Sequence, residues 1–303
     1  MLLSQAASAY GKATIPVGED PKDVAVNPKT NMVYVANFDN VAVIDGSTNT
    51  VVSKIPIGDV NGWAIEVNPN SGKVYVAGHL SASILVLDAS TNAVVATIHL
   101  NGRPTGIAIN PETNTIYAAS SDVMEIAVID GATHKVIERI ERDGDFRRIS
   151  MDPSSGLVYA GNVQYGTVDV IRNMSVDSFR KSYDAQIDYP QAIDVNPETG
   201  RVYVSDSDSV LVIGSDNDGH ALLERVEVGG IPMGIAVNPE TNMVYVANFD
   251  DDSISVIDGK TNKVILTPWS VWRDRDIFRH RRHGGAHPLQ QAQQISKGQK
   301  VSF

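Results

Sequence analysis

An Asn-Pro or Asp-Pro pair returns along the chain at nearly constant spacing. Its prolines are Pro28, Pro69, Pro111, Pro153, Pro197 and Pro239, in steps of 41, 42, 42, 44 and 42 residues. Six residues after each proline stands a tyrosine: Tyr34, Tyr75, Tyr117, Tyr159, Tyr203 and Tyr245. Two markers held in register through six copies make an internal repeat. A period near forty residues restricts the chain to stacked or radial architectures.

Each copy contains four short apolar pieces. In the first they are Asp23–Val26, Met32–Ala36, Val41–Ile44 and Val51–Ile55, rich in β-branched residues and bounded by turn residues. The turns are too short for the crossovers that parallel strands need, so the pieces form an antiparallel meander. Three residues after each proline the chain has Asn31, Gly72, Asn114, Gly156, Gly200 and Asn242. Only Asn and Gly occur there, which predicts a positive φ at each. The second hairpin opens with Asp45-Gly46, Asp130-Gly131 and Asp258-Gly259, and Asn49, Asn92 and Asn262 stand near its end.

One small sheet cannot bury both of its faces, so such copies must pack on each other. Four-stranded antiparallel units of this length are the blades of a β-propeller. The expected fold is all-β, with six clear blades at about 15–54, 55–97, 98–139, 140–182, 183–225 and 226–267. The first strand of each blade is expected innermost. Its central position reads Ala25, Glu66, Ala108, Ser150, Asp194 and Ala236.

The copies resemble the YVTN-type β-propeller repeat. Tyr34-Val35-Ala36-Asn37 and Tyr245-Val246-Ala247-Asn248 match its name motif at three of four positions. Ile15-Pro16-Val17-Gly18, Val24-Ala25-Val26-Asn27-Pro28 and Val43-Ile44-Asp45-Gly46 match its flanks, and the likeness covers about residues 15–267. The resemblance implies a propeller, with relatives among archaeal surface-layer proteins and exported propellers of the YncE type. More distantly it points to virginiamycin B lyase-like propellers, whose magnesium-dependent His/Glu site has no residue-by-residue match here.

Both ends depart from the repeat. Ala7-Ser8-Ala9 resembles the end of an export signal, so residues 1–9 are read as a possible signal remnant. Tyr10–Val17 resembles one more outermost strand, which belongs to a blade formed at the other end of the chain. Residues 268–303 have no Asn-Pro turn and no Tyr-Val pair. They are expected to be an irregular basic tail or a degenerate seventh blade. A seven-bladed ring is slightly preferred, and a changed reading frame is one origin for such an end. These residues hold seven Lys/Arg against Asp274 and Asp276, a balance of +5, which leaves −16 of the total −11 on the rest. A body that acidic repels phosphate backbones, so no nucleic-acid partner is expected. The absence of cysteine excludes disulfides, and no apolar run is long enough for a spanning helix.

Positions that vary between copies are free for function. The mouth of the channel is expected to carry Lys22, Trp63, Thr105, Arg147, Gln191 and Met233, with His79 and Arg148 nearby. Such a ring suits a small anionic or sugar-like ligand, and Asp194 is added as a ligand-binding candidate. Glu66, His79, Arg147 and Arg148 are the candidate catalytic groups if the chain is an enzyme. Glu66 and Asp194 are costly to bury alone and need partners, raised pKa values or a divalent cation. His280, His283 and His287 suggest at most a weak metal site. Asp39, Asp206–Asp208 and Asp250–Asp252 make acidic loops, and Asn173-Met174-Ser175 is a formal glycosylation sequon. The expected function is a non-enzymatic, extracytoplasmic propeller that binds a protein or a small polar ligand. The alternatives are a lyase or lactonase acting at the channel mouth and a cell-surface or adhesion module.

Overall fold

The computed structural model describes residues 15–141, 143–172, 175–179, 187, 190–216, 219–251 and 253–266. Of 175–179, 215, 216, 219, 220 and 266 only the backbone is considered. The possible signal remnant, the tail at 268–303 with its three histidines, and most of the sequon lie outside these residues. The chain divides into two units after Pro268, and all the described residues belong to the first.

That unit is a six-bladed β-propeller of four-stranded antiparallel sheets, each in simple sequential order. Blade 1 comprises β1 (Asp23–Asn27), β2 (Met32–Ala36), β3 (Asn40–Asp45) and β4 (Thr50–Pro56). Blade 2 comprises β5 (Gly62–Asn68), β6 (Lys73–Gly78), β7 (Ser83–Asp88) and β8 (Ala93–His99). Blade 3 comprises β9 (Pro104–Asn110), β10 (Thr115–Ser120), β11 (Glu125–Asp130) and β12 (Lys135–Glu141). Blade 4 comprises β13 (Phe146–Asp152), β14 (Leu157–Asn162), β15 (Thr167–Arg172) and β16 (Ser175–Phe179). Blade 5 comprises β17 (Ile193–Asn196), β18 (Arg201–Ser205), β19 (Ser209–Asp216) and β20 (Gly219–Glu227). Blade 6 comprises β21 (Pro232–Asn238), β22 (Met243–Asn248), β23 (Ser253–Asp258) and β24 (Lys263–Leu266). Among the described residues there is no helix and no seventh blade.

The turns form as their chemistry requires. The Asn or Asp before each repeat proline closes the first hairpin with its own side chain. Its Oδ1 accepts an N–H from Lys29, Asn70, Glu112, Ser154, Glu198 or Thr241. All six Asn/Gly positions predicted to have positive φ have it, from Asn242 at 54° to Gly156 at 72°. In the second hairpin the same conformation occurs at Asn49, Asn92 and Asn262, but in blade 3 it falls on His134.

Strand alternation gives every blade two apolar faces. One carries the motif tyrosine and packs on the next blade. Tyr34, Val41, Val43 and Ile55 of blade 1 form one core with Ile65, Val67, Val74 and Val76 of blade 2. Equivalent cores join blades 2 and 3, 3 and 4, 4 and 5, and 5 and 6. Among the described residues, a sixth core of this kind between blades 6 and 1 is absent. Instead Val35, Ala42 and Ile44 of blade 1 are covered by Ile15 and Val17. The motif asparagine anchors that segment: Asn37 Nδ2 donates to the Val17 carbonyl at 3.2 Å. Asn162 repeats the bond to the carbonyl of Asp143 at 3.1 Å. In blades 1 and 4 the asparagine is therefore a clamp on the chain arriving ahead of the blade, whereas Asn248 of blade 6 donates instead to Ser253 and Ser255 of its own blade.

Candidate functional site

The innermost strands β1, β5, β9, β13, β17 and β21 together line one axial cavity of about 250 Å³. At its mouth the strand pairing is broken by bulges, which insert a residue and re-aim its side chain. Register shifts around Trp63 in β5, Thr105 in β9, Arg147 and Arg148 in β13, and Met233 in β21. Four of the six positions that vary most between copies thus stand at bulges, whereas Lys22 keeps a backbone bond to the Ala36 carbonyl.

The sequence candidates fall into three groups. Lys22, Trp63 and His79 come together between blades 1 and 2, outside the set of residues that line the axial cavity. The Trp63 and His79 rings stack with centroids 4.8 Å apart and planes at 28°. Lys22 Nζ lies 5.4 Å from the Trp63 ring centroid, within cation–π range, and also pairs with Asp20 at 2.7 Å. His79 Nδ1 is 3.3 Å from the Pro104 carbonyl. A carbonyl only accepts, so Nδ1 carries the proton and the ring is fixed across blades 2 and 3.

Glu66, Arg148, Met233 and Asp194 line the axial cavity. The third group has other employment. Thr105 is buried, and its hydroxyl sits 2.6 Å from the Phe146 carbonyl and 3.2 Å from that of Ala119. It staples blade 3 to blade 4 and does not stand on the rim. Arg147 is held by Asp145 at 2.8 Å. The Gln191 backbone N–H is bound by Ser205 Oγ at 3.1 Å.

Asp23 completes the axial group. Its Oδ2 accepts from Arg148 Nη1 at 3.0 Å and from the Ile65 N–H at 3.1 Å, tying blades 1, 2 and 4 across the axis. Its signal lay in the register. The position that is Asp23 in blade 1 and Arg148 in blade 4 is Ala64, Gly106, Ala192 and Gly234 in the other blades. An acid and a base facing each other over small residues mark a bridge.

Asp194 performs the same service for blades 4, 5 and 6. It accepts from the N–H groups of Val195 and Val237, both at 2.8 Å, and from Ser150 Oγ at 3.2 Å. Burial raises its pKa, and these three donors oppose the rise. Glu66 has less support. Its side chain is exposed to water within the cavity but ringed by the inner strands. Its pKa is pushed up to about 8, first by burial, then by the charges of Asp23 and Asp194. The Val67 N–H and Arg148 pull the other way. The cavity therefore holds the Asp23–Arg148 ion pair, Asp194 with its three donors, and a Glu66 carboxyl whose raised pKa leaves it able to donate a hydrogen bond near neutral pH.

The acidic loops are largely occupied as well. Asp206 pairs with Arg225, and Asp251 accepts the Gly230 N–H at 2.8 Å. Among the described residues no three His, Asp or Glu side chains are grouped to hold a metal ion. Nor is any helix there long and apolar enough to cross a membrane. No family model matches the sequence, and neither does any curated protein. Among solved structures the chain is similar to Kuenenia stuttgartiensis hydrazine synthase, with a TM-score of 0.68 and 20% identity. The similarity covers 78% of this chain and 83% of that one, and at this identity it shows the propeller fold.

Proposed function

We propose that this propeller is a binding module whose site is the channel mouth. Its ligand is a small anionic molecule with one flat or ring-shaped apolar face. The Trp63–His79 stack with Lys22 above the indole carries the reading. An aromatic platform and a cation side by side suit a uronic acid or an aromatic carboxylate. Binding is favoured over catalysis because Arg147, Arg148, Asp23 and Asp194 are each held by a scaffold partner. The YVTN-type resemblance and the Ala7-Ser8-Ala9 segment support a site of action outside the cytoplasm, at the cell surface or beyond it. A divalent cation at the acidic loops belongs to the surface-layer alternative.

The test is a calorimetric and thermal-shift panel of galacturonate, benzoate and glucose, repeated with Ca²⁺, Mg²⁺ and EDTA. An acid should bind where glucose does not, and Trp63→Ala should abolish the binding. Equal indifference to all three compounds would refute the mouth as their site. A Ca²⁺ shift reversed by EDTA would favour the surface-layer alternative.

One observation favours an enzyme as the second reading. Glu66 shares the axial cavity with Arg148, and its upward-shifted pKa suits a general acid near neutral pH. A lyase or lactonase of this kind would lose activity as pH rises through about 8. Glu66→Gln would abolish that activity with the fold intact.

A further inference from the structure

We propose that the axial cavity is a binding site for a short primary alkylammonium ion, which donates to Glu66 and lays its carbon chain on the isoleucines of the wall. Two features of the wall make the match. The first is a surplus of acceptors. The innermost strands are edge strands, and such an edge presents unpaired N–H and C=O groups alike. Here carboxyl groups take the N–H groups. Asp23 accepts from Ile65, and Asp194 accepts from Val195 and Val237. Arg148 is spent on Asp23 at 3.0 Å. With these donors engaged, a ligand gains most by donating.

The second feature is Glu66. Its side chain opens into the cavity, and its carboxyl is supported by the Val67 N–H. Among the described residues no side chain hydrogen-bonds to it. The titratable or charged groups that share its wall are Asp23 of β1, Arg148 of β13 and Asp194 of β17, while β9 and β21 contribute none. Three carboxyl groups thus face one guanidinium. Burial and the two neighbouring acids hold the Glu66 proton on up to about pH 8. An ammonium ion beside the carboxylate replaces that proton as the counter-charge.

The remaining wall sets the rest of the ligand. Ile65, Ile107 and Ile149 give it an apolar surface for a carbon chain. At about 250 Å³ the cavity is smaller than the roughly 300–1,000 Å³ of drug-sized ligand sites, so the amine is short. A bare metal ion would leave the isoleucines uncovered, and among the described residues no three His, Asp or Glu are grouped to hold one. The Trp63–His79 stack lies outside this wall, so the amine site stands or falls separately from the proposed acid site.

The probe is n-butylammonium chloride, titrated calorimetrically into the full chain in about 150 mM NaCl to screen surface charge. 1-Butanol and KCl are the controls for the chain and the charge. Saturable one-to-one binding is expected for the amine alone. It should tighten by at least about tenfold from pH 6 to pH 8, because the amine displaces the Glu66 proton. Titrations at pH 7 in phosphate and in Tris should differ in heat by the ionisation of the proton released. Glu66→Gln should weaken binding at pH 8 by at least about tenfold and flatten its pH dependence. Glu198→Gln, at an exposed position after β17, should change neither. The proton release is read on the unaltered chain, so it decides even where Glu66→Gln does not fold. No saturable binding up to about 10 mM amine overturns the proposal. So does equal binding of 1-butanol, or an affinity indifferent to pH and to Glu66.

Discussion

Blades 1 and 6 both contain Tyr-Val-Ala-Asn, yet the two tyrosines live in different surroundings. Tyr34 is 1% exposed and Tyr245 is 43% exposed. Strand and register are the same in both. The difference lies in the neighbour: blade 2 covers Tyr34, and no described sheet covers Tyr245. A repeat therefore encodes two sticky faces, while stability at each depends on what packs there. Among the described residues, five blade interfaces are closed and one, the seam between blades 6 and 1, is not, so identical substitutions can be compared under different burial.

The largest contrast is expected from a buried charge. Val67→Asp should cost about 4 kcal/mol or more, because the carboxylate has no partner in the core between blades 1 and 2. Val26→Asp, its counterpart at the seam, should stay within about 0.5 kcal/mol. Urea unfolding of both variants decides it, and equal losses break the comparison. Next comes tyrosine truncation. Tyr34→Ala should cost about 3–5 kcal/mol, and Tyr245→Ala about 1 kcal/mol or less, by the same measurement.

The axis should give a smaller effect that sharpens the contrast. Among the described residues blade 1 has no neighbouring sheet on its upstream side, so the Asp23–Arg148 bridge is one of its ties to the far side of the ring. Arg148→Met should cost about 1–2 kcal/mol at pH 7 and speed hydrogen exchange in β1 more than in β9. Uniform acceleration would show that the bridge holds no particular blade. The smallest effect is a slope. Glu66 has a folded pKa of about 8 against 4.5 when free, so the folded state binds its proton more tightly. Its contribution to stability is complete below pH 4.5 and is lost as pH rises toward 8. Glu66→Gln should remove that part of the slope in melting temperature between pH 5 and 8. An unchanged slope would mean that cavity water screens the charge.

The repeat made the architecture legible, because turn chemistry and alternation are local. Asn31 and Gly72 occupy the same conformation for the same steric reason, and each could be read without the other. His134 could not, since nothing in a histidine announces a left-handed turn; its place in the hairpin imposes it. The mouth was legible as a set of variable positions but not as a geometry. Thr105 looked like a rim residue and turned inward, because the bulge at β9 aims its hydroxyl at two carbonyls. Asp23 went unnoticed because it stands in an ordinary strand position. Its role exists only through Arg148, which lies 125 residues away in sequence. The seam was half legible: Tyr10–Val17 reads as a strand without a blade, and Ile15 and Val17 do pack where such a strand would end.

The most direct measurement is solvent labelling of tyrosines in the native full chain by hydroxyl-radical footprinting, read by mass spectrometry. Tyr245 should be modified many times faster than Tyr34, Tyr75 and Tyr203, which serve as controls within the same molecule. Protection of Tyr245 equal to that of Tyr34 would mean that the sixth blade is covered as fully as the first. That result would contradict an open seam.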